Sequence, residues 1–260
     1  MLEMIADLWR HRDLIVSFAR RDIKARYKQT VLGIAWAVLQ PLSMMVVFTL
    51  VFSLFAKIPS DGLPYPIFAY SGLIFWTYFA SAISGGTTTM VGNSSLIRKI
   101  HFPRATLLVA VLIAGSLDLL VSASLFLAMM AYYHVAVTLT ALWALPLLVV
   151  QMLFALGVAS LTSAAHVNFR DIGHGLPLLL QLWMFASPVA YPISVIPEWL
   201  LPFYLLNPMA PIIDGYRRAL LHGVAPDLAA VGLSALAVTL FAILALSVFR
   251  RAERTFADVI

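Results

Sequence analysis

Six stretches of this chain, residues 31–55, 65–84, 105–133, 139–165, 176–191 and 228–249, are almost entirely apolar. Most of them reach the roughly 20 residues that a helix needs to cross a hydrocarbon layer about 30 Å thick. A soluble fold cannot hide so much apolar surface, whereas a bilayer solvates it. Charge agrees: 11% of the 260 residues are charged and 62% hydrophobic, where soluble domains carry about a quarter charged. The expected fold is therefore an all-α integral membrane protein. The fifth stretch is the shortest, with Pro177 and Pro188 near its ends.

The placement of cations decides the count of spans. Six crossings put 14 of the 17 Lys and Arg residues on one face: seven before the first span, then Arg98, Lys99, Arg104, Arg170, Arg250, Arg251 and Arg254. Only Lys57, Arg217 and Arg218 fall opposite. A re-entrant fifth stretch would carry the C-terminal trio to the other face and weaken the positive-inside bias. Six spans with both termini cytoplasmic are expected, in one membrane domain: 1–30 cytoplasmic and interfacial, 31–249 spanning, 250–260 a tail. The first 30 residues hold no apolar core of the kind a cleavable signal needs, so no processing is expected. The net charge of +5 is an orientation signal rather than a mark of nucleic-acid binding.

Two regions outside the spans have a definite physical character. Ahead of the first, Leu14, Ile15, Phe18, Ala19 and Ile23 recur at helical spacing opposite Arg20, Arg21, Lys24 and Lys28. The pattern predicts an amphipathic helix along the cytoplasmic interface, either a lipid anchor or a collar that gathers substrate or partner. Between the fifth and sixth spans, Pro192, Pro197, Pro202, Pro208 and Pro211 forbid a continuous helix, yet Val195, Ile196, Trp199, Leu200, Leu201, Phe203, Leu205 and Leu206 are too apolar for a solvated loop. Short re-entrant helices resolve the conflict. They border a pathway or form a structural plug. Trp199, Tyr204 and Tyr216 suit the headgroup boundary.

Catalytic chemistry is poorly supported. There is no cysteine, and none of the four lysines sits in a G-x-x-x-x-G-K-[ST] phosphate loop, so ATP hydrolysis would need a separate subunit. The six histidines form no H-x-x-x-H or H-E-x-x-H pair, no G-x-S-x-G elbow occurs, and no metal site or catalytic residue is expected. Asp118 is the one ionisable side chain at mid-depth in a span. Without an acid, Lys or His at similar depth in another span, a proton relay is disfavoured. Asp118 instead faces another helix, with Ser122 one turn on, or lines a pore. The segment 92–104, GNSSLIRKIHFPR, joins the second and third spans, with Asn93 or Ser94 placed to cap a short helix stopped by Pro103. Its Leu96, Ile97 and Ile100 beside Arg98 and Lys99 suit docking into a partner's cleft or packing on the chain's own helices.

Five segments carry a family likeness: RDIKARYKQTVLGIAWAVLQPL at 21–42, LIRKIHFPR at 96–104, NFRDI at 168–172, SPVAYP at 187–192 and NPMAPIIDGYRRALL at 207–221. Together, and in this order, they resemble the membrane subunits of type-2 ABC exporters, in the branch that exports O antigen, teichoic acid or capsule. The RDIKARYKQ and FPR segments side with the O-antigen and teichoic-acid members. The resemblance implies a homodimer in the bacterial inner membrane, each copy bound to an ATPase subunit that holds ATP and Mg, moving an undecaprenyl-linked polysaccharide. It also implies a coupling segment at Asn93, Leu96, Ile97, Arg98, Lys99, Ile100 and His101, and an outer gate that includes Trp199, Tyr204, Asn207, Pro208, Tyr216, Arg217 and Arg218.

The basic collar, Arg20, Arg21, Lys24, Arg26 and Lys28, is placed to draw a lipid pyrophosphate, since cationic side chains pair with phosphate oxygens. Trp36, Phe75, Trp76, Tyr78, Trp183 and Phe185 are candidates for a channel wall that sugar rings slide along; interface belts or core packing account for each of them equally well. Rival readings are a drug or small-lipid permease, a membrane-bound glycosyl- or acyltransferase, and a passive channel. A transferase needs converging acids or histidines, and Asp61, Glu198, Asp214 and Asp227 are scattered.

Overall fold

The computed structural model describes residues 7–28, 32–100 and 102–256, and all regular structure among them is helical. Helix α1 (Arg12–Tyr27) precedes a first span built in three pieces: a 3-10 turn at Gly33–Ala35, helix α2 (Trp36–Phe48) and a π-helical end at Thr49–Phe55. The long helices α3 (Tyr65–Gly92) and α5 (Ala105–Tyr132) flank the short α4 (Ser94–Lys99). A 3-10 turn at Leu139–Trp143 leads into α6 (Ala144–Asn168), followed by α7 (Asp171–Phe185), the short α8 (Leu201–Tyr204) and α9 (Met209–Leu220), and finally α10 (Leu228–Ala252). Five helical stretches are long and apolar enough to span: Gly33–Phe55, Tyr65–Gly92, Ala105–Tyr132, Leu139–Asn168 and Leu228–Ala252. The expected fifth span is shorter than that. It is helical only over the 15 residues of α7, about 22 Å, and Ser187–Tyr191 completes the run as an irregular turn.

Helix α3 is the centre of the bundle because it is apolar or small on nearly every face. It packs against α2, α5, α6, α7 and α9. Phe68, Tyr70, Phe79 and Ile83 are fully buried. Close approach depends on small residues: a β-carbon at Gly86 would lie 2.7 Å from Ala159 of α6, and one at Gly157 would lie 2.9 Å from the Phe241 ring of α10.

Within α2 a proline takes one backbone donor out of the first span. Pro41 has no N–H, so the Ala37 carbonyl one turn back loses its partner, at a depth where water cannot replace it. Ser122 of α5 donates to that carbonyl at 2.7 Å. Ser122 thus serves the first span's backbone rather than assisting Asp118, as its position one turn on had suggested.

One core cluster ties together Ile15, Phe18 and Ala19 of α1, Ile97 of α4, Phe102, Val167, Phe249 of α10 and Phe256 just beyond that helix. The basic segments before the first span, between the second and third, and after the last therefore meet at one end of the bundle. There Arg250 lies 3.7 Å from Asp7. Burial raises the Glu253 carboxyl above the usual carboxylate range, opposed by Arg104 and Arg250. At the opposite end, Thr140 donates to the Ala219 carbonyl at 2.7 Å.

Helix α1 departs from the expected flat interfacial course. The Phe18 ring sits 5.6 Å from that of Phe102, just ahead of α5, while Arg26 and Tyr27 reach Asp118, midway along α5. Eight to nine residues of α1, about 13 Å of helix, thus climb beside the first half of α5. The cause is apolar packing: Ile15, Phe18 and Ala19 bury against the bundle rather than lipid.

Candidate functional site

Between residues 67 and 90 of α3 the only positions that escape burial are Thr77, Ala80, Ser81, Ser84, Gly85 and Thr88. All are small or carry a hydroxyl, and their spacing of three and four residues puts them on one face. That face is the floor of two adjoining cavities. The first, about 440 Å³, is lined by Arg26 and Tyr27 of α1, Trp36 and Gln40 of α2, Thr77, Tyr78, Ser81 and Ser84 of α3, and Asp118 and Ser122 of α5. The second, about 370 Å³, shares Gln40, Thr77, Ser81 and Ser84 and continues to Trp76, Pro177, Gln181 and Met184. Below them an open groove of about 540 Å³ is lined by Ile23, Lys24, Tyr27 and Lys28, so Tyr27 belongs to both groove and first cavity. The shared residues make one polar track, from the basic end of α1 to the middle of α7.

Asp118 is held at the first cavity by Arg26 and by the Tyr27 hydroxyl, both from α1. Its partners therefore come from outside the spans, not from another span at the same depth. Burial, and next the hydrogen bond to Asp118, push the Tyr27 phenol up to about 12, so it remains protonated and donating. The other collar cations differ in their surroundings. Arg21 pairs with Asp22 at 2.9 Å and lies over the Phe18 ring. Arg20, Lys24 and Lys28 are exposed and form no ion pair among the described residues.

The six aromatic candidates separate by environment. Phe75 is buried and stacked on Tyr216 at 3.5 Å. Trp76 and Tyr78 are buried in the core with only an edge at the cavities. Trp183 belongs to a cluster with Trp76, Phe79 and Phe154 and donates to Asn207 at 3.0 Å. Trp36 and Phe185 are exposed, at 55% and 42%.

The turn after α7 is held by side chains that satisfy its free carbonyls. Arg217, 3% exposed, donates to the carbonyls of Pro188, Val189 and Tyr191 and lies 3.7 Å over the Phe68 ring. Tyr65 donates to the Ala190 carbonyl at 2.7 Å, and Asn207 donates to the Ala186 carbonyl at 3.2 Å and to the Ser187 hydroxyl at 2.8 Å. Gly72 leaves the room, since a β-carbon there would lie 2.8 Å from Arg217. Tyr216 is not at a headgroup boundary but fully buried, donating to Gln151 at 2.9 Å. Tyr204 donates to Tyr191 at 3.2 Å, Arg218 to the Ala225 carbonyl at 3.2 Å, Pro208 sits at the N-cap of α9, and Trp199 is 73% exposed.

At the basic end α4 is shorter than expected. Asn93 occupies its N-cap position but sends its side chain back to the Thr89 carbonyl, and Ile100, not Pro103, ends the helix in extended conformation. Ile97 is buried in the chain's own core and Leu96 packs beside it. Arg98, Lys99 and Ile100 remain exposed; His101 lies outside the described residues. No cluster of metal-ligating side chains occurs among the described residues.

A multi-pass helical bundle with a polar track, a basic helix at its foot and a protruding loop helix is the architecture of a transporter's membrane subunit. The ABC-2 type transporter family matches residues 13–221, and the chain belongs to that family. Over its whole length it is 31% identical to an O-antigen export system permease of Myxococcus xanthus, covering all of that protein. A second O-antigen export permease, from Klebsiella pneumoniae, is 27% identical with 95% of each chain aligned. A polysialic acid transport protein of Escherichia coli is 24% identical over 87% of this chain and 89% of the relative.

Proposed function

We propose that this chain is the channel-forming subunit of an ATP-driven exporter that moves undecaprenyl-linked O-antigen polysaccharide across the bacterial inner membrane. The observation that carries the proposal is the polar track: hydroxyls and amides on α2, α3 and α7, open along one side, with exposed Arg20, Lys24 and Lys28 at its foot. A lipid-linked glycan needs such a path, since its sugars must pass a hydrocarbon layer while its lipid stays in that layer. The open side suits closure by a second copy in a homodimer. The full-length likeness to two O-antigen permeases supports this glycan over capsule or teichoic acid.

In the proposed cycle the lipid pyrophosphate is drawn by the collar and the glycan follows into the track. ATP, with Mg, binds an ATPase subunit that docks on Arg98, Lys99 and Ile100 and widens the path. Six spans with both ends cytoplasmic fit the meeting of the described ends with Ile97 and Phe102 in one cluster, which requires an even number of passages. The test is export in a strain whose own copy is deleted. Wild type should restore surface glycan and co-purify with a Walker-motif ATPase, whereas the Arg20→Gln, Lys24→Gln, Lys28→Gln triple variant should co-purify but leave the glycan inside. Unchanged surface glycan in the triple variant would refute the collar's role, and loss of a different polymer in the deletion strain would replace O antigen as the cargo.

A further inference from the structure

We infer that Asp118 is an internal competitor for the phosphate of the lipid substrate: in the empty protein it occupies Arg26 and Tyr27 at the mouth of the first cavity, and a lipid-borne pyrophosphate must displace it from them. The inference rests on the proposed function and deepens it. Three observations carry it. Arg26 and Tyr27 form the last turn of α1, and their polar ends meet a single carboxylate on α5, 92 and 91 residues away. That carboxylate lines the 440 Å³ cavity, together with Gln40, Thr77, Ser81 and Ser84. Tyr27 also lines the basic groove of Lys24 and Lys28, so an anion moving inward from those lysines next meets the Tyr27–Arg26–Asp118 contact.

The chemistry of exchange is simple. A carboxylate and a phosphate ester present similar oxygen acceptors to a guanidinium and a phenol, and the phosphate carries more charge and more oxygens. The pair is only partly buried, its side chains 38% and 24% exposed, so it is weak enough to open. While it is closed, α1 is fastened to the middle of α5. Once a phosphate takes Arg26, Asp118 repels the same anion and the end of α1 is released from α5. Asp118 thereby sets a threshold: anions that offer less than a phosphate do not open the contact.

The source of the phosphate is taken to be a lipid headgroup, because α1 ends beside the midpoint of α5 rather than at its aqueous end. The experiment measures binding of a polyprenyl diphosphate to the full-length protein in nanodiscs, with inorganic pyrophosphate as a second arm. Asp118→Asn is expected to tighten lipid binding about five- to tenfold, the worth of one competing pair near 1 kcal/mol. Arg26→Gln is expected to weaken it, and Asp118→Asn to gain less in the Arg26→Gln background than in the wild type, since Asp118 then competes for Tyr27 alone. An independent readout does not rely on variants at the pair. The chain has no cysteine, so spin labels at Ala25→Cys and Ser124→Cys report the α1–α5 separation cleanly, and it should widen when the polyprenyl diphosphate is added. Weakened binding in Asp118→Asn, additive effects in the double variant, or an unchanged separation overturns the competition. Lipid binding indifferent to Arg26→Gln overturns instead the role of Arg26 in the underlying functional reading. Tightening seen equally with inorganic pyrophosphate overturns the lipid source.

Discussion

At the scale of single residues the molecule is governed by backbone groups that lipid cannot hydrate. Pro41 frees the Ala37 carbonyl and Ser122 takes it, so the two positions should be energetically coupled. Ser122→Ala is expected to lower stability by about 1–3 kcal/mol, the cost of a buried acceptor left without a donor. In a Pro41→Ala background, where residue 41 regains its N–H, the same change should cost a few tenths; thermal unfolding of the four proteins in detergent completes the cycle, and equal costs in both backgrounds would sink the assignment. Arg217 holds three carbonyls of the turn after α7 with one planar guanidinium. Arg217→Met should cost about 3 kcal/mol or more, and Arg217→Lys should recover little of it, because an ammonium is a point donor without the fork. Neither arrangement is visible in sequence. Pro41 announces a missing N–H, but its remedy lies 85 residues away from Ala37, and local spacing carries no trace of it.

At the scale of elements, what local periodicity encodes was legible and what depends on partners was not. The long apolar stretches, the amphipathic α1 and the proline-broken region before α10 follow from residue type at helical spacing. The polar stripe Thr77, Ser81 and Ser84 has the same regular spacing, but three hydroxyls vanish in a strongly apolar average, and only burial of every other face of α3 exposes its meaning. The climb of α1 along α5 was hidden because an apolar face does not say whether lipid or protein covers it. Helix α4 shows the same ambiguity resolved: Ile97 faces inward and Ile100 outward. Ile97→Ala should therefore destabilise the permease itself, by about 2–4 kcal/mol if the cavity does not collapse, as read from its unfolding. Ile100→Ala should leave that stability within about 0.5 kcal/mol and instead weaken co-purification with the ATPase subunit. A stable Ile97→Ala protein that fails to hold its ATPase would reverse the two roles.

For the whole molecule, the physical issue is how a chain with five full-length helices can return both ends to one side. Ile15, Phe18, Ala19, Ile97, Phe102, Phe249 and Phe256 share a cluster, while Thr140 meets Ala219 at the far end. The chain must then climb between Asn168 and Ala219 without a sixth helix of full length, and α7 supplies about 22 Å of that rise. The remainder is irregular backbone from Ala186 to Tyr191, tolerated because Arg217, Tyr65 and Asn207 satisfy its carbonyls from within the protein. Under the positive-inside rule the proposed direction follows from cation distribution, since nearly all Lys and Arg fall in the segments of the clustered end. The absence of cysteine makes this directly measurable. Single substitutions Arg12→Cys, Ser95→Cys and Arg251→Cys at the clustered end should resist a membrane-impermeant maleimide applied to intact spheroplasts and react after lysis, whereas Val137→Cys, exposed at the far end, should react from outside. Labelling of Arg12→Cys and Arg251→Cys from opposite sides would mean an odd number of passages. The turn held by Arg217 would then be a cap on a re-entrant loop rather than the top of a crossing, and the proposal of an outer gate there would fall.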